Sequence, residues 1–104
     1  MTKHHLFSYG SLQDEEVQLR IFQRRLIGQK AILKGYRLIT NEYLGKFPVI
    51  YPSTKQEDTV NGLVYEVTNA DLFICDQYET SYYKRIQIAL NTHPSAWVYV
   101  RNSD

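Results

Sequence analysis

The hydrophobic pattern of this chain switches several times between a period of two and a helical period within 104 residues, and the segments between the switches are short. Leu6 to Tyr9 is a brief apolar and aromatic run ended by Gly10, as a first strand would be. From Asp14 to Leu26 the apolar residues Val17, Ile21, Phe22 and Leu26 recur at helical spacing, and Gly28 supplies a stop, which predicts a helix. Ala31 to Thr40 returns to strand character, with Gly35 marking a bulge or tight bend, and Asn41 to Lys46 reads as a loop. Phe47 to Pro52 has a proline at each side of a short apolar run, which suits an edge strand or an extended connection. Ser53 to Thr59 reads as an exposed turn and Gly62 to Val67 as an alternating strand. Thr68 with Asp71 three residues on has the form of a helix N-cap, opening a second helix through about Tyr78 with Leu72 and Cys75 on its inner face. Tyr83 to Leu90 alternates again, Pro94 marks a turn, and Ala96 to Val100 is a last strand. The connections are too short for repeated parallel crossovers, which need a dozen or more residues each. The order therefore predicts an α+β fold, a small mixed β-barrel with two flanking helices, in one domain over residues 1–104.

Two segments far apart in the chain have the look of an active site. Phe7-Ser8-Tyr9-Gly10-Ser11-Leu12 is a strand running into a glycine turn, whose backbone amides suit an anion or a carbonyl oxygen. Asp76-Gln77-Tyr78-Glu79-Thr80-Ser81-Tyr82-Tyr83-Lys84-Arg85 places a carboxylate where a helix gives way to a strand.

Charge and composition narrow the partners. With 12 basic and 11 acidic residues the formal charge is +1, which provides no polycationic face, so no nucleic-acid partner is expected. Arg20, Arg24 and Arg25 are the densest basic cluster, and they follow Asp14, Glu15 and Glu16 in what reads as one helix, an arrangement that suits its macrodipole and a solvated face. A lone cysteine, Cys75, excludes an intramolecular disulfide and a thiolate-rich metal site, and without a partner histidine it reads as a small core residue. His4 and His5 point to opposite faces if a strand starts there, and His93 stands alone in a loop, so no metal is expected. No run approaches the ~20 apolar residues of a membrane span, and the N-terminus lacks a signal-like core, which predicts no membrane partner and a cytoplasmic location. The oligomeric state stays open.

With these residues placed, the chain resembles the gamma-glutamylcyclotransferase-like family, also called AIG2-like, almost end to end. Tyr9-Gly10-Ser11-Leu12 matches its N-terminal signature, Gly35-Tyr36-Arg37-Leu38 its second strand, and Phe47-Pro48-Val49 its aromatic-proline segment. Gly62-Leu63-Val64-Tyr65-Glu66-Val67 is similar to its central strand, and Asp76-Gln77-Tyr78-Glu79 with Tyr83 and Arg85 to its helix corner. The resemblance implies the family's small barrel, a substrate pocket between the N-terminal loop and the glutamate, and Glu79 as the catalytic acid/base. It implies cofactor-independent conversion of a gamma-glutamyl amine or amino acid to 5-oxoproline and a free amine, with a small gamma-glutamyl substrate as partner. Gln13 to Glu16 runs straight into the helix without the glycine-rich extension of some members, so the leaving-group side of the pocket is not fixed by the likeness.

That chemistry gives each residue a task. The substrate's own amine attacks its side-chain carbonyl, so positioning supplies much of the acceleration, and a base and oxyanion donors supply the rest. Glu79, partly buried among Tyr78, Tyr82 and Tyr83, would have a raised pKa suited to proton transfer. Backbone amides from Tyr9 to Leu12 would hold the oxyanion, Gly10 would allow close approach, and Ser11 would add a hydroxyl. Tyr83 and Arg85, alternate residues of one strand, would orient the substrate or brace Glu79. Tyr9 lines the pocket or packs in the core, and Tyr99 is a further phenol near it. Taken without the family, Glu79 is an exposed carboxylate or a partner of Lys84 or Arg85, and Gly10 a plain turn residue. The alternative function is a noncatalytic module that binds a small acidic metabolite or a partner chain along the edge near Val49, and a third is an amidohydrolase or acyl transferase with another amide.

Overall fold

The computed structural model describes residues 3–102, so residues 1, 2, 103 and 104 of the expected 1–104 domain lie outside the described range. In chain order the elements are β1 (Lys3–Ser8), a short 3-10 turn (Ser11–Gln13), α1 (Glu15–Phe22), β2 (Gly28–Lys34), β3 (Tyr36–Tyr43), β4 (Phe47–Pro52), β5 (Thr59–Thr68), α2 (Asn69–Glu79), β6 (Tyr83–Ile88) and β7 (Ala96–Arg101). Five strands form one mixed sheet in the order β2-β5-β1-β7-β6, in which β1 runs antiparallel to β5 and parallel to β7. The other two, β3 and β4, form a separate antiparallel ribbon.

Alternation along the central strands builds two cores, because successive side chains leave opposite faces. Leu6, Tyr65, Val67 and Tyr99 point to the helix side, where they pack with Leu12, Phe22, Leu72 and the fully buried Cys75. Phe7, Val64, Val98 and Val100 point to the other side and pack with Ala31, Leu33, Ile50 and Val60. The α+β architecture and the two helices are as the sequence predicts. The barrel, however, is not closed by hydrogen bonds: β2 and β6 are edges of the large sheet, and the ribbon covers its second face by packing β3 on β5 and β4 on β7. Pro48 and Pro52 in β4 have no N–H to donate, in keeping with its place at an edge.

Several boundaries differ from the sequence pattern for identifiable reasons. The helix predicted to Leu26 stops at Phe22, where Gln23 takes a left-handed conformation (φ 61°). Buried Gln18 holds the turned-back chain: its amide donates to the Leu12 carbonyl (2.8 Å) and its oxygen accepts from the Leu26 N–H (2.8 Å). Leu26 thus reaches the core from a loop rather than from a helix, and its helical spacing is coincidental. The strand predicted over Ala31 to Thr40 is two strands broken at Gly35 (φ 80°), and β2 begins earlier, at Gly28. The expected loop from Asn41 to Lys46 is largely hairpin: β3 runs through a bulge at Asn41 (φ 59°) to Tyr43. Leu44 and Gly45, both at positive φ, then form the two-residue turn, closed by the Lys46 N–H on the Tyr43 carbonyl (3.1 Å). A leucine in that position hides the turn from a reading by composition.

The second helix starts as predicted. Thr68 and Asp71 form a reciprocal capping box, with Asp71 N–H on Thr68 Oγ1 (3.1 Å) and Thr68 N–H on Asp71 Oδ2 (2.9 Å). Arg24, read from sequence as part of a solvated face, instead donates two hydrogen bonds to the buried Asp71 carboxylate (2.7 and 3.2 Å) and ties the loop after α1 to the start of α2. Burial alone would raise the Asp71 carboxyl, but the Arg24 hydrogen bonds and the Thr68 amide outweigh it and hold the group below the usual carboxylate range. Among the described residues no helix is long and apolar enough to cross a membrane.

Candidate active site

The end of β1 is set by a glycine on the neighbouring strand β5. A Cβ on Gly62 of β5 would stand 2.4 Å from the Ser8 carbonyl oxygen and 2.7 Å from the Phe7 ring, so only glycine lets β5 lie this close to the last residues of β1. From there the chain turns through Tyr9 and Gly10 into the 3-10 turn, whose two bonds use the N–H groups of Gln13 and Asp14. The N–H groups of Ser11 and Leu12 have no protein partner among the described residues. Gly10 itself has an extended φ of −140°, so its conformation does not require glycine; the near contact is that a Cβ there would lie 3.3 Å from Pro48 Cγ.

Opposite this turn, α2 ends at Glu79, and Thr80 terminates it abruptly at φ 65°, ψ −176°. That region is essentially reserved for glycine, and holding a threonine there costs ~1–3 kcal/mol. The 3-10 turn and the helix end are joined by a hydrogen bond between Ser11 Oγ and the Tyr78 hydroxyl (2.8 Å). A cleft of about 320 Å³ opens between them. Tyr9, Gly10, Ser11 and Leu12 line one wall, Tyr78, Glu79 and Tyr83 another, and the hairpin residues Tyr43, Leu44, Phe47 and Pro48 a third. The structure therefore brings six of the seven sequence-predicted site residues, Glu79, Tyr9, Gly10, Ser11, Leu12 and Tyr83, around one cavity.

Arg85 is the seventh, and it lies elsewhere. It makes a bidentate pair with Asp76 (2.9 Å for both bonds) on the far side of α2, and the Tyr99 hydroxyl donates to the same carboxylate (2.6 Å). Arg85 neither lines the cleft nor contacts Glu79; it fastens α2, one turn before Glu79, to β6 and β7. The Arg85 hydrogen bonds hold Asp76 below the usual carboxylate range, against a smaller opposing effect of burial.

The Glu79 carboxylate has no hydrogen-bond or ion-pair partner among the described residues, and burial pushes it up to about 7. Tyr9 and Tyr83 are raised too, first by burial and then by neighbouring charge that includes Glu79, so both phenols stay protonated. Their hydrogens are committed: Tyr9 donates to the Tyr99 carbonyl (2.6 Å) and Tyr83 to the Pro48 carbonyl (2.8 Å), which pins the ribbon to the large sheet. Tyr82, expected beside Glu79, instead stacks on Tyr43 (centroids 3.9 Å, 18° between planes) and supports the hairpin wall from outside. Cys75 lies in the core with its thiol pushed up to about 12 by burial, which leaves it inert as a nucleophile.

The sequence reading missed Arg20, which lines the cleft from α1, and the hairpin residues Tyr43 and Leu44. It also placed His93 alone, whereas its ring meets that of His5 at 4.4 Å; among the described residues no group of three or more metal-ligating side chains comes together.

The fold and cleft define a small α+β protein with one unpaired, protonatable carboxylate facing a turn with free amides. The chain belongs to the gamma-glutamyl cyclotransferase, AIG2-like family, whose model matches residues 6–104. Two Arabidopsis thaliana proteins solved in solution have similar structures. One shares 25% identity at a TM-score of 0.82 over 99% of this chain and 71% of its own, the other 27% identity at 0.82 over 97% and 63%. A gamma-glutamyl cyclotransferase is similar in fold at 20% identity and a TM-score of 0.68, covering 97% of this chain and 68% of its own. This chain thus spans about two thirds of the length of these structures. No curated protein sequence matches it.

Proposed function

We propose that the protein converts a small gamma-glutamyl amine or amino acid to 5-oxoproline, with Glu79 as the acid/base. The observation that carries this reading is the unpaired Glu79 carboxylate, raised to about 7, in the same cleft as the free Ser11 and Leu12 amides. In the reaction the substrate's α-ammonium gives a proton to Glu79, and the freed amine attacks the γ-carbonyl carbon. The carbonyl oxygen, now anionic, is held by the Ser11 and Leu12 N–H groups. As the carbonyl re-forms, the original amide C–N bond breaks and Glu79 returns its proton to the departing nitrogen. The attacking nitrogen, which still carries two hydrogens, gives its second proton by way of Glu79 to the freed amine, so a neutral lactam and an ammonium result and no net proton is gained or lost. A pKa near neutrality suits both halves of this transfer. The tyrosine-lined walls exclude water and hold the flexible glutamyl chain folded for attack.

The test is Glu79→Gln, which keeps size and removes the base. With a panel of gamma-glutamyl compounds, wild type forms 5-oxoproline and free amine, and the variant loses about 10²- to 10⁴-fold in kcat. For the wild type, kcat/KM rises with pH through about 7 as Glu79 ionises. A folded variant with undiminished turnover would remove Glu79 from the chemistry, and 5-oxoproline binding without any turnover by wild type would identify a binding module instead.

A further inference from the structure

The charged residues lining the cleft are Glu79 and Arg20. Among the described residues Arg24, Arg25, Arg85 and Lys3 each pair with a carboxylate, whereas Arg20 pairs with none. It projects from the last turn of α1 to the cleft rim, where its guanidinium carbon lies 5.9 Å from the centroid of the Tyr78 ring. The same Tyr78 holds Ser11 through its hydroxyl, so Arg20 sits on the outer face of the group that joins the two reacting walls. A guanidinium against a ring face keeps its in-plane N–H fork available for a carboxylate.

We propose that Arg20 forms a carboxylate-binding subsite at the cleft rim and selects gamma-glutamyl compounds whose departing amine carries a carboxylate over those whose departing amine is neutral. The inference rests on the cyclotransferase reading above. Two features assign the subsite to the leaving group rather than to the glutamyl head. The head must sit deep, with its α-nitrogen on the half-buried Glu79, and its α-carboxylate is bonded to the same carbon as that nitrogen. Among the described residues Arg20 makes no ion pair with Glu79 and lies instead over the Tyr78 ring, so its guanidinium is not committed to the carboxylate that receives the head. Arg20 is also exposed, as a residue meeting the outward-projecting end of a substrate would be.

The experiment compares gamma-glutamyl-alanine with gamma-glutamyl-ethylamine, which differ by the leaving-group carboxylate, on wild type, Arg20→Gln and Arg20→Lys. Wild type prefers the acid in kcat/KM; Arg20→Gln loses about tenfold to a hundredfold on the acid through KM and is unchanged on the amine, and Arg20→Lys recovers part of the loss. Equal loss on both substrates, or no loss on either, overturns the subsite. Should wild type turn over neither compound, thermal shift with the same pair separates the two ideas. Stabilisation by the acid that Arg20→Gln removes retains the subsite while the cyclotransferase reading falls, and stabilisation that the substitution leaves intact rejects the subsite.

Discussion

Replacing Glu79 with glutamine is expected to stabilise the protein while disabling it, because burial makes the ionised form of this carboxyl costly in the folded state. Its pKa rises from 4.5 to about 7 through burial. Between those values the folded chain keeps a proton that the unfolded chain has released, so wild-type stability falls as pH climbs from about 4.5 to about 7. At ~1.4 kcal/mol for each pH unit the displacement of about 2.5 units corresponds to ~3.5 kcal/mol at most. Solvent contact with the half-buried side chain screens part of it, and about 2 kcal/mol is the expected gain at pH 8. The variant bears no ionisable group at this position and lacks the penalty. Urea titrations at pH 8 and pH 4 measure it directly: the midpoint of Glu79→Gln exceeds that of wild type at pH 8 with an unchanged m-value, and the two converge at pH 4. A variant no more stable at pH 8, or a gain that persists unchanged at pH 4, would show that the carboxyl is solvated and would refute the argument from burial.

Two further substitutions test the scaffold. Gly62→Ala places a methyl 2.4 Å from the Ser8 oxygen, and thermal denaturation should register a loss of at least about 2 kcal/mol together with reduced activity, because the strand end that leads into the Tyr9 turn is displaced. Arg24→Ala removes the partner of buried Asp71 and should cost about 1–2 kcal/mol at pH 7. Since the Asp71 carboxyl is depressed in the folded state, this contribution is present above the unfolded pKa and is lost as pH falls through the lower folded value, so the gap between the two proteins narrows in acid.

Local signals account for most of what the sequence disclosed. Alternation marked Gly62 to Val67 and Tyr83 to Leu90 as strands, and the Thr68–Asp71 cap fixed the start of α2. The convergence of Tyr9 to Leu12 with Glu79 and Tyr83 was legible only through the family resemblance, since no local pattern relates segments about seventy residues apart. What stayed hidden depends on tertiary partners. Gln18 ends a helix that apolar spacing would extend, and Arg85 takes Asp76 in preference to Glu79 because the strand presents it to the other side of α2. Arg20 gave no signal, as its neighbours Val17 and Ile21 mark the inner face of α1 without saying that the adjacent rim borders a cavity.

The unclosed ladder has a consequence for how such a protein diversifies. Glu79 and the Tyr9 turn hang from the large sheet, whereas Tyr43, Leu44 and Phe47 hang from a ribbon with its own hydrogen-bond register. Residues inserted at the Leu44–Gly45 tip would reshape what the cavity admits without shifting the pairing that aligns the reacting groups. Selectivity and chemistry are thereby separable under mutation, and a single ancestral scaffold can change its clientele while its proton-transfer geometry stays put.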